Sequence, residues 1–290
     1  MTDVSAVIVS FRPEPAVLDN IIELSKQVGD IVVVDNGSPA ENLERLREGS
    51  RTVPFRLIEN GSNLGIAAAL NRGVRTCAER GSALVAFFDQ DSTVTPGYFG
   101  AMQDAIAAAP RPIAVFCPRY VDRGTRVDKP VHQRDEFGEP LMSMTSGSVI
   151  PMEVLRRIGP FEEELFIYGV DDEFCLRARS NGLRLLRVEG AVLLHQEGRT
   201  ELRKQFGRTV YLTNQPPKKR YYIARNQWWL WHRYAESFPA LGSKSQNLLR
   251  LLKQSVRILL LESDKIAKLS AMIHGFVDFC AGRMGKTVQL

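Results

Sequence analysis

Short runs of β-branched and other apolar residues alternate with helical patterns over the first 91 residues, and this alternation restricts the fold more than any other feature. The apolar runs are VSAVIVSF at 4–11, IVVVDNGS at 31–38, FRLIEN at 55–60 and ALVAFFDQD at 83–91. Apolar side chains recur at helical spacing in the segments between them, which are 15–27, 41–48 and 64–81. Strands that are apolar on both faces and separated by helices predict an α/β fold, with a mostly parallel sheet between two helical layers.

Polar residues end three of these apolar runs, at the edge where ligands bind in this architecture. Ser10 ends the first run, Asp35 ends the second, and Asp89 and Asp91 end the fourth. Open α/β sheets bind ligands outside the carboxyl ends of their strands. An isolated pair of aspartates one residue apart is also common in solvated turns, so the rest of the chain has to decide whether this pair forms a site.

The second half of the chain loses the regular alternation. The patterns predict a strand at 114–121, a polar loop at 122–143, a turn, short strand and helix at 144–159, an acidic loop and helix at 161–182, two short strands at 183–198 and a flexible polar loop at 199–220. Helical patterns continue from residue 221. We expect an α/β domain at 1–215 and a basic helical region at 216–290.

Charge is unevenly distributed along the chain. Residues 1–199 contain 22 Lys and Arg against 28 Asp and Glu, whereas residues 200–290 contain 16 against 5. A basic tail favours an anionic partner, either phosphate-bearing lipid or nucleic acid, although a solvated basic surface would have the same composition. The sequence has no apolar run of 18 residues, no basic leader and no CxxC pair, so we expect a cytoplasmic protein with free thiols.

A set of motifs gives the acidic pair its context. These motifs are, in chain order, VSAVIVSF, VVVDNGS, NGSNLGIAAALNRG, FFDQDS, TSGSVI, YGVDDEFCLRAR and LLH. In this order and spacing they resemble the inverting glycosyltransferases of family 2, over about residues 4–230, and bacterial rhamnosyltransferases most of all. The resemblance implies a GT-A fold, which is a Rossmann-like sheet, followed by a C-terminal helical extension. It also implies transfer of L-rhamnose from dTDP-L-rhamnose, or of another hexose from UDP or GDP, to a glycan or lipid-linked acceptor during cell-surface polysaccharide assembly.

A diphosphate leaving group carries charge that a divalent cation stabilises, and Mg²⁺ binds carboxylates together with substrate phosphates. The resemblance implies that Asp91 contacts Mg²⁺ or Mn²⁺ and that Asp89 lies towards the ribose or the metal-bound waters. It also implies that His195, at the end of the apolar run VLLH, is a third ligand of the metal or the phosphate. A lone histidine is otherwise more often a structural residue.

The resemblance places further residues around the nucleotide sugar, and these are Ser10, Phe11, Asp35, Asn63, Gly65 and Gln90. Asp35 would accept hydrogen bonds from the base or the ribose, but a helix-capping role remains open for it. Phe11 is equally suited to the core. Gly65 would allow close backbone packing at a helix N-terminus near the nucleotide.

Inverting transfer requires a general base for the acceptor hydroxyl, and the acidic motif VDDEFCLRAR supplies two candidates. Alignment of EFCLR with the family motif puts Asp171 at the position of the base. The family usually has a glutamate directly before this aspartate, and Val170 replaces that glutamate here. The choice between Asp171 and Asp172 therefore stays open. The resemblance also places Ser146, Gly147 and Arg225 near the acceptor, although Arg225 is equally suited to bracing the tail against the sheet.

The C-terminal helical patterns combine leucines, aromatic residues and cations. This composition suits a helix on an anionic membrane surface, a homodimer through these helices, or a helix docked on the core. A dinucleotide oxidoreductase is disfavoured, because SFRPEP stands where GxGxxG would follow the first strand. A noncatalytic nucleic-acid binder is the alternative from another class, but it leaves the acids at the strand ends unexplained, so we expect no nucleic-acid partner.

Overall fold

The apolar runs of the first half form strands and the segments between them form helices, in two compact units of the chain. The computed structural model describes residues 4–109, 113–124, 126–131, 133–195, 201–205, 208–212 and 214–288. One unit contains Met1–Phe166 and Val170–Gln196, and the other contains Ile167–Gly169 and Glu197–Leu290. The expected domain boundary after residue 215 stays a prediction.

The first unit is built from eight strands and six helices within its described residues. Its strands are β1 (Val4–Ser10), β2 (Asp30–Asp35), β3 (Arg56–Glu59), β4 (Leu84–Asp89), β5 (Thr93–Val94), β6 (Ile113–Asp122), β7 (Val149–Pro151) and β8 (Arg184–His195). Its helices are α1 (Val17–Ser25), α2 (Ala40–Gly49), α3 (Ile66–Glu79), α4 (Tyr98–Ala108), α5 (Met152–Ile158) and α6 (Val170–Ser180). A short 3₁₀ turn, Glu163–Leu165, precedes α6.

The eight strands form one mixed sheet in the order β3-β2-β1-β4-β7-β6-β8-β5. The pairs β1–β2, β2–β3, β1–β4 and β6–β8 are parallel, whereas β7 and β5 run antiparallel to their neighbours. The predicted α/β class and the mostly parallel sheet are confirmed. The chain adds strands on one side of β1 and then crosses to β4 on the other side, so the topological switch point lies between the ends of β1 and β4.

The central strands β1, β2 and β4 are buried on both faces, as their doubly apolar sequences require. On one face Ile8 of β1 belongs to a cluster with Ile21 and Leu24 of α1. On the other face α3 approaches β1 so closely that a Cβ atom on Gly73 would lie 2.3 Å from Val7 Cγ1. This close approach requires glycine, and it packs the middle of α3 directly against β1.

Two expectations for the second half are wrong. The two short strands expected at 183–198 form one strand, β8, and residues 196–198 lie outside the described part of the chain. Pro118 of β6 pairs with Val188 of β8 but Arg119 pairs with Val192, so the intervening Glu-Gly-Ala is accommodated as a bulge instead of a turn.

The polar segment 199–220, expected to be a loop, contains an antiparallel hairpin in its described residues. Its strands are β9 (Glu201–Gln205) and β10 (Arg208–Leu212). The charged composition of this segment gives no apolar strand signal, so the sequence pattern does not predict the hairpin.

The second unit also contains the three C-terminal helices, which the sequence pattern predicts. They are α7 (Pro217–Tyr234), α8 (Lys244–Leu261) and α9 (Lys265–Cys280). Helices α7 and α9 pack so tightly that a Cβ atom on Gly275 would lie 2.4 Å from the Tyr221 carbonyl oxygen. The buried Glu262 carboxylate accepts hydrogen bonds from Arg220 at 2.7 Å and Lys268 at 3.0 Å. Within the described residues, no helix has the length and apolarity needed to cross a bilayer.

Candidate active site

Two aspartates and a histidine meet at the edge of the sheet where β4 and β8 end. Asp89 is the last residue of β4, Asp91 follows in the next turn, and His195 is the last residue of β8. The short strand β5 pairs antiparallel with β8, with Thr93 opposite Leu194, and this pairing folds the turn alongside His195. One ligand atom from each of the three side chains lies within 4.8 Å of the others. The cluster is open on the side of Asp91, which is exposed, whereas His195 is buried.

Two serines hold this cluster from beneath. Ser92 Oγ lies 3.1 Å from His195 Nδ1 and 2.8 Å from Ser146 Oγ. The Asp89 backbone N–H donates to Ser146 Oγ at 3.0 Å. Both serines are buried. Hydrogen bonds of this kind fix the orientation of a ligating imidazole, so Ser92 is a supporting residue of the candidate metal site.

Gln90, between the two aspartates, faces the end of β1. Its Oε1 accepts hydrogen bonds from the Phe11 N–H at 2.9 Å and from Ser10 Oγ at 3.2 Å, and its Nε2 donates to the Phe11 carbonyl at 3.3 Å. The side chain therefore links the ends of β1 and β4 across the switch point. The nucleotide contacts expected of Ser10, Phe11 and Gln90 stay predictions, but the three residues do meet where this topology binds ligands.

Asp35 closes the turn that follows β2. Its Oδ2 accepts hydrogen bonds from the Gly37 N–H at 3.1 Å and the Ser38 N–H at 3.0 Å, and its Oδ1 accepts one from the Ser38 hydroxyl. Asp35 is 1% exposed. Helix α2 begins at Ala40 after Pro39 and has no side-chain cap, so the helix-capping role left open for Asp35 is wrong and its carboxylate stabilises the turn before the helix. The contact with base or ribose stays a prediction.

Asn63 and Gly65 shape the entry to α3. Asn63 Oδ1 accepts hydrogen bonds from the Gly65 N–H at 3.0 Å and from Asn36 Nδ2 at 3.2 Å. Gly65 has φ +93°, and a Cβ atom there would lie 2.6 Å from the Phe166 carbonyl oxygen. The same carbonyl accepts the Ile66 N–H at 2.8 Å. Only glycine fits this conformation and this approach, so the turn is rigid where the nucleotide is expected.

The two candidate bases, Asp171 and Asp172, lie in the first turn of α6, and both are partly exposed. Thr145 Oγ1 donates a hydrogen bond of 2.6 Å to Asp171 Oδ1. Among the hydrogen bonds shown for the described residues, none involves the Asp172 carboxylate. Thr145 thus gives Asp171 a fixed orientation.

The carboxylates of α6 and β4 share one electrostatic environment. Burial, together with the negative charges of Asp171 and Asp91, raises the pKa of Asp89 to about 7. Burial also raises the pKa of Asp171, against the opposing effect of Thr145. Burial and the charge of Asp171 raise the pKa of Asp172 to about 6. Of the two base candidates, Asp171 therefore lies close enough to Asp89 for the two charges to interact.

The three residues expected near the acceptor have separate positions. Ser146 and Gly147 are buried beneath β4, where the Gly147 N–H donates to the Phe87 carbonyl and the Tyr98 hydroxyl donates to the Gly147 carbonyl. Arg225 belongs to the second unit, where it is fully buried and donates to the Gly285 carbonyl at 2.7 Å. Arg225 thus stabilises the second unit itself. Bracing of the tail against the sheet and the acceptor contacts of all three residues stay predictions.

Sequence reasoning missed Ser92 and Thr145. Each belongs to one of the motifs given above: Ser92 is the last residue of DQDS and Thr145 is the first of TSGS. Serine and threonine are common in such loops, and only the distances to His195 and Asp171 reveal their roles.

The fold and this site define a protein of the GT-A class. The family model described as glycosyl transferase family 2 matches residues 5–163, which is more than half of the chain. The chain belongs to glycosyl transferase family 2. It is accordingly a glycosyltransferase that uses a nucleotide-sugar donor, and the alternative of a noncatalytic nucleic-acid binder is dropped.

Comparison with individual proteins supports this assignment. The dTDP-rhamnosyl transferase RfbF of Shigella flexneri is 27% identical over 299 residues, which cover 98% of this chain and 97% of that protein. The crystal structure of S. aureus TarS 1–349 in complex with UDP-GlcNAc has a TM-score of 0.64 at 14% identity, covering 96% of this chain and 80% of that one. The chain spans only 43% of the longer S. aureus TarS structure.

The mannosyltransferase PcManGT from Pyrobaculum calidifontis, in complex with GDP-Man and Mn²⁺, has a TM-score of 0.53 at 15% identity. That alignment covers 97% of this chain and 87% of the mannosyltransferase. At these identities the two solved structures establish the GT-A fold and nothing finer.

Proposed function

We propose that this glycosyltransferase moves L-rhamnose from dTDP-L-rhamnose, with inversion, to a glycan or lipid-linked acceptor in cell-surface polysaccharide assembly. The cluster of Asp89, Asp91 and His195 at the switch-point edge of the sheet carries the proposal of a diphosphate site. The name of the Shigella flexneri relative, which aligns along almost the whole chain, supports dTDP-rhamnose as the donor. UDP- or GDP-linked hexoses are the alternative donors, since proteins of similar fold hold UDP-GlcNAc or GDP-Man.

The donor set of the cluster fits a divalent cation such as Mg²⁺ or Mn²⁺. Two carboxylates and an imidazole offer oxygen and nitrogen ligands, and the exposed Asp91 leaves room for phosphate oxygens. The raised pKa of Asp89 shows that negative charge is concentrated at this poorly solvated position, where a cation would be stabilised. When bound, the cation would neutralise the charge that develops on the departing diphosphate.

Asp171 is the general base in this proposal. Thr145 holds Asp171 Oδ1, so Oδ2 is the atom that takes the proton of the acceptor hydroxyl as the hydroxyl oxygen attacks the anomeric carbon. The raised pKa of Asp171 suits a base that works near neutral pH. Asp172 is the competing candidate, and burial with the charge of Asp171 raises its pKa to about 6.

The test is calorimetric binding of dTDP, UDP and GDP, each with and without Mn²⁺ or Mg²⁺. We expect binding of dTDP that depends on the metal and is lost in Asp91→Asn. Asp104→Asn is the matched control, because Asp104 is an exposed aspartate on α4. Preference for UDP or GDP would replace the proposed donor while keeping the site. Failure of every nucleotide to bind, or unchanged binding in Asp91→Asn, would refute the site itself.

A second experiment separates the two base candidates. With the donor identified, Asp171→Asn should retain nucleotide binding and lose transfer, whereas Asp172→Asn should retain most of both. Loss of transfer only in Asp172→Asn would reverse the assignment. Loss of nucleotide binding in Asp171→Asn would show that Asp171 belongs to the donor site.

A further inference from the structure

Helix α8 in the second unit has two apolar faces, and only one of them is covered. Ile258 is fully buried with Ala224 and Met272, and Leu251 packs against this small cluster. The other face carries six aliphatic residues that are each 47–64% exposed, namely Leu248, Leu249, Leu252, Val256, Leu259 and Leu260. At about 100° per residue these six fall within an arc of about 120° on the side away from Ile258.

This exposed face is large for a protein surface. Six aliphatic side chains, each about half exposed, present an apolar area on the order of 500 Å², which is near the upper end for the largest patch of a monomeric soluble protein. The residues extend from the second turn of α8 to its C-terminal end, and a capping box of Ser243 and Gln246 closes its first turn. The helix is thus well formed, and its exposed stripe is continuous.

The charges of α8 all have one sign. The helix contains Lys244, Arg250, Lys253 and Arg257 and neither aspartate nor glutamate. All four cations are exposed, and the last three lie along one edge of the apolar stripe. An apolar face with a basic border is typical of helices that lie in the interface of an anionic bilayer.

We propose that this face of α8 docks on an anionic lipid surface, with its aliphatic side chains at the acyl boundary and its cations beside the headgroups. A second copy of the chain is the weaker occupant. Symmetric pairing of two α8 helices through the stripe would bring like charges together along the border, and the helix has no acidic residue to pair with them. The proposal does not depend on the donor sugar.

The experiment is co-sedimentation of the full chain with vesicles of phosphatidylcholine alone or of equal parts phosphatidylcholine and phosphatidylglycerol. We expect binding to the anionic vesicles only, and release when NaCl is raised from about 0.1 M to about 0.5 M. Lys253→Gln with Arg257→Gln should weaken binding about 25-fold, or about fivefold for each cation. Leu252→Gln with Leu259→Gln should weaken it at least about tenfold. Val127→Gln, at an exposed position of the first unit, should leave it unchanged.

Three results would overturn the proposal. The first is absence of binding to anionic vesicles, and the second is equal binding to both vesicle types. The third is a dimer in analytical ultracentrifugation that does not bind vesicles and that dissociates when Leu252 and Leu259 are replaced. The salt release uses the unmodified chain, so it does not depend on the folding of any variant. Nucleotide binding by the variants should match that of the unmodified chain, which separates failure of this proposal from failure of the proposed function.

Discussion

Replacement of Asp89 by asparagine should stabilise the metal-free protein at alkaline pH while it abolishes metal-dependent nucleotide binding. Burial, together with the charges of Asp171 and Asp91, raises the pKa of Asp89 to about 7. The ionised carboxylate is therefore under electrostatic stress in the folded protein when no cation is present. Asparagine has nearly the same shape and removes the charge.

The magnitude follows from the shift of the Asp89 pKa from 3.8 to about 7. A shift of about 3 units corresponds to about 4 kcal/mol, and because Asp89 is partly exposed we take about half of that, about 2 kcal/mol. Since the folded-state pKa is raised, folding binds protons. The penalty is absent below pH about 4, grows as the pH rises to about 7 and is constant above that.

Thermal unfolding followed by circular dichroism, in buffer with EDTA, measures the effect. At pH 8 we expect Asp89→Asn to raise the Tm by about 4–8 °C, and at pH 4 we expect no difference. Mn²⁺ should raise the Tm of the unmodified chain and leave that of Asp89→Asn unchanged. Asp104→Asn should change neither value, since Asp104 is an exposed aspartate outside the cluster.

A lower Tm for Asp89→Asn at pH 8, or a gain of equal size at both pH values, would refute the electrostatic reasoning. The first result would mean that the Asp89 carboxylate makes a net favourable contact in the folded chain. The second would place the effect in packing, because packing does not titrate.

Four further outcomes follow from the site. Ser92→Ala should weaken Mn²⁺ binding by about 10- to 100-fold in calorimetry, because Ser92 orients His195, and unchanged affinity would remove it from the site. Asp171→Asn should lower kcat by about 10²- to 10⁴-fold with little change in the KM for the donor; a change confined to KM would argue against a base. The raised pKa of Asp171 predicts that kcat/KM of the unmodified enzyme falls with decreasing pH well above pH about 4, where an ordinary aspartate would titrate. Gly65→Ala should lower the free energy of unfolding in urea by about 1–3 kcal/mol, since the residue has φ +93° and an added Cβ atom would clash with Phe166. An unchanged free energy of unfolding would contradict this.

The sequence predicts the parallel part of the fold because each of its strands is an apolar run with its own helix. That pattern is local, so β1, β2, β3 and β4 are recognisable without their partners. The bulge in β8 and the hairpin of β9 and β10 depend on pairing between segments. Glu189-Gly190 has the composition of a turn, and only its position beside β6 shows that the strand continues. Composition therefore fails where the register of a neighbouring strand decides the structure.

The candidate site divides in the same way. The sequence predicts the position of Asp89 and Asp91 at a strand end. The proximity of His195 depends on the two-residue strand β5, which has no sequence pattern that would predict it. The resemblance to a family supplied His195 where physical reasoning alone favoured a structural histidine. The local role of Asp35 was an open alternative, and the structure shows that its carboxylate is engaged in its own turn.

The four residues of DQDS explain why a pair of aspartates follows a buried strand. Asp89 ends β4 and Asp91 lies in the turn that follows, and both side chains lie beside His195, while Gln90 between them faces the end of β1. Ser92 then turns back beneath the cluster and bonds to His195. The four substitutions should therefore differ in their effects: Asp89 affects both stability and cation binding, Asp91 and Ser92 affect cation affinity, and Gln90 affects the linkage of β1 to β4. A turn that served only to end a strand would need none of these contacts, so their coincidence at the switch point is the strongest physical reason to regard this segment as a binding site.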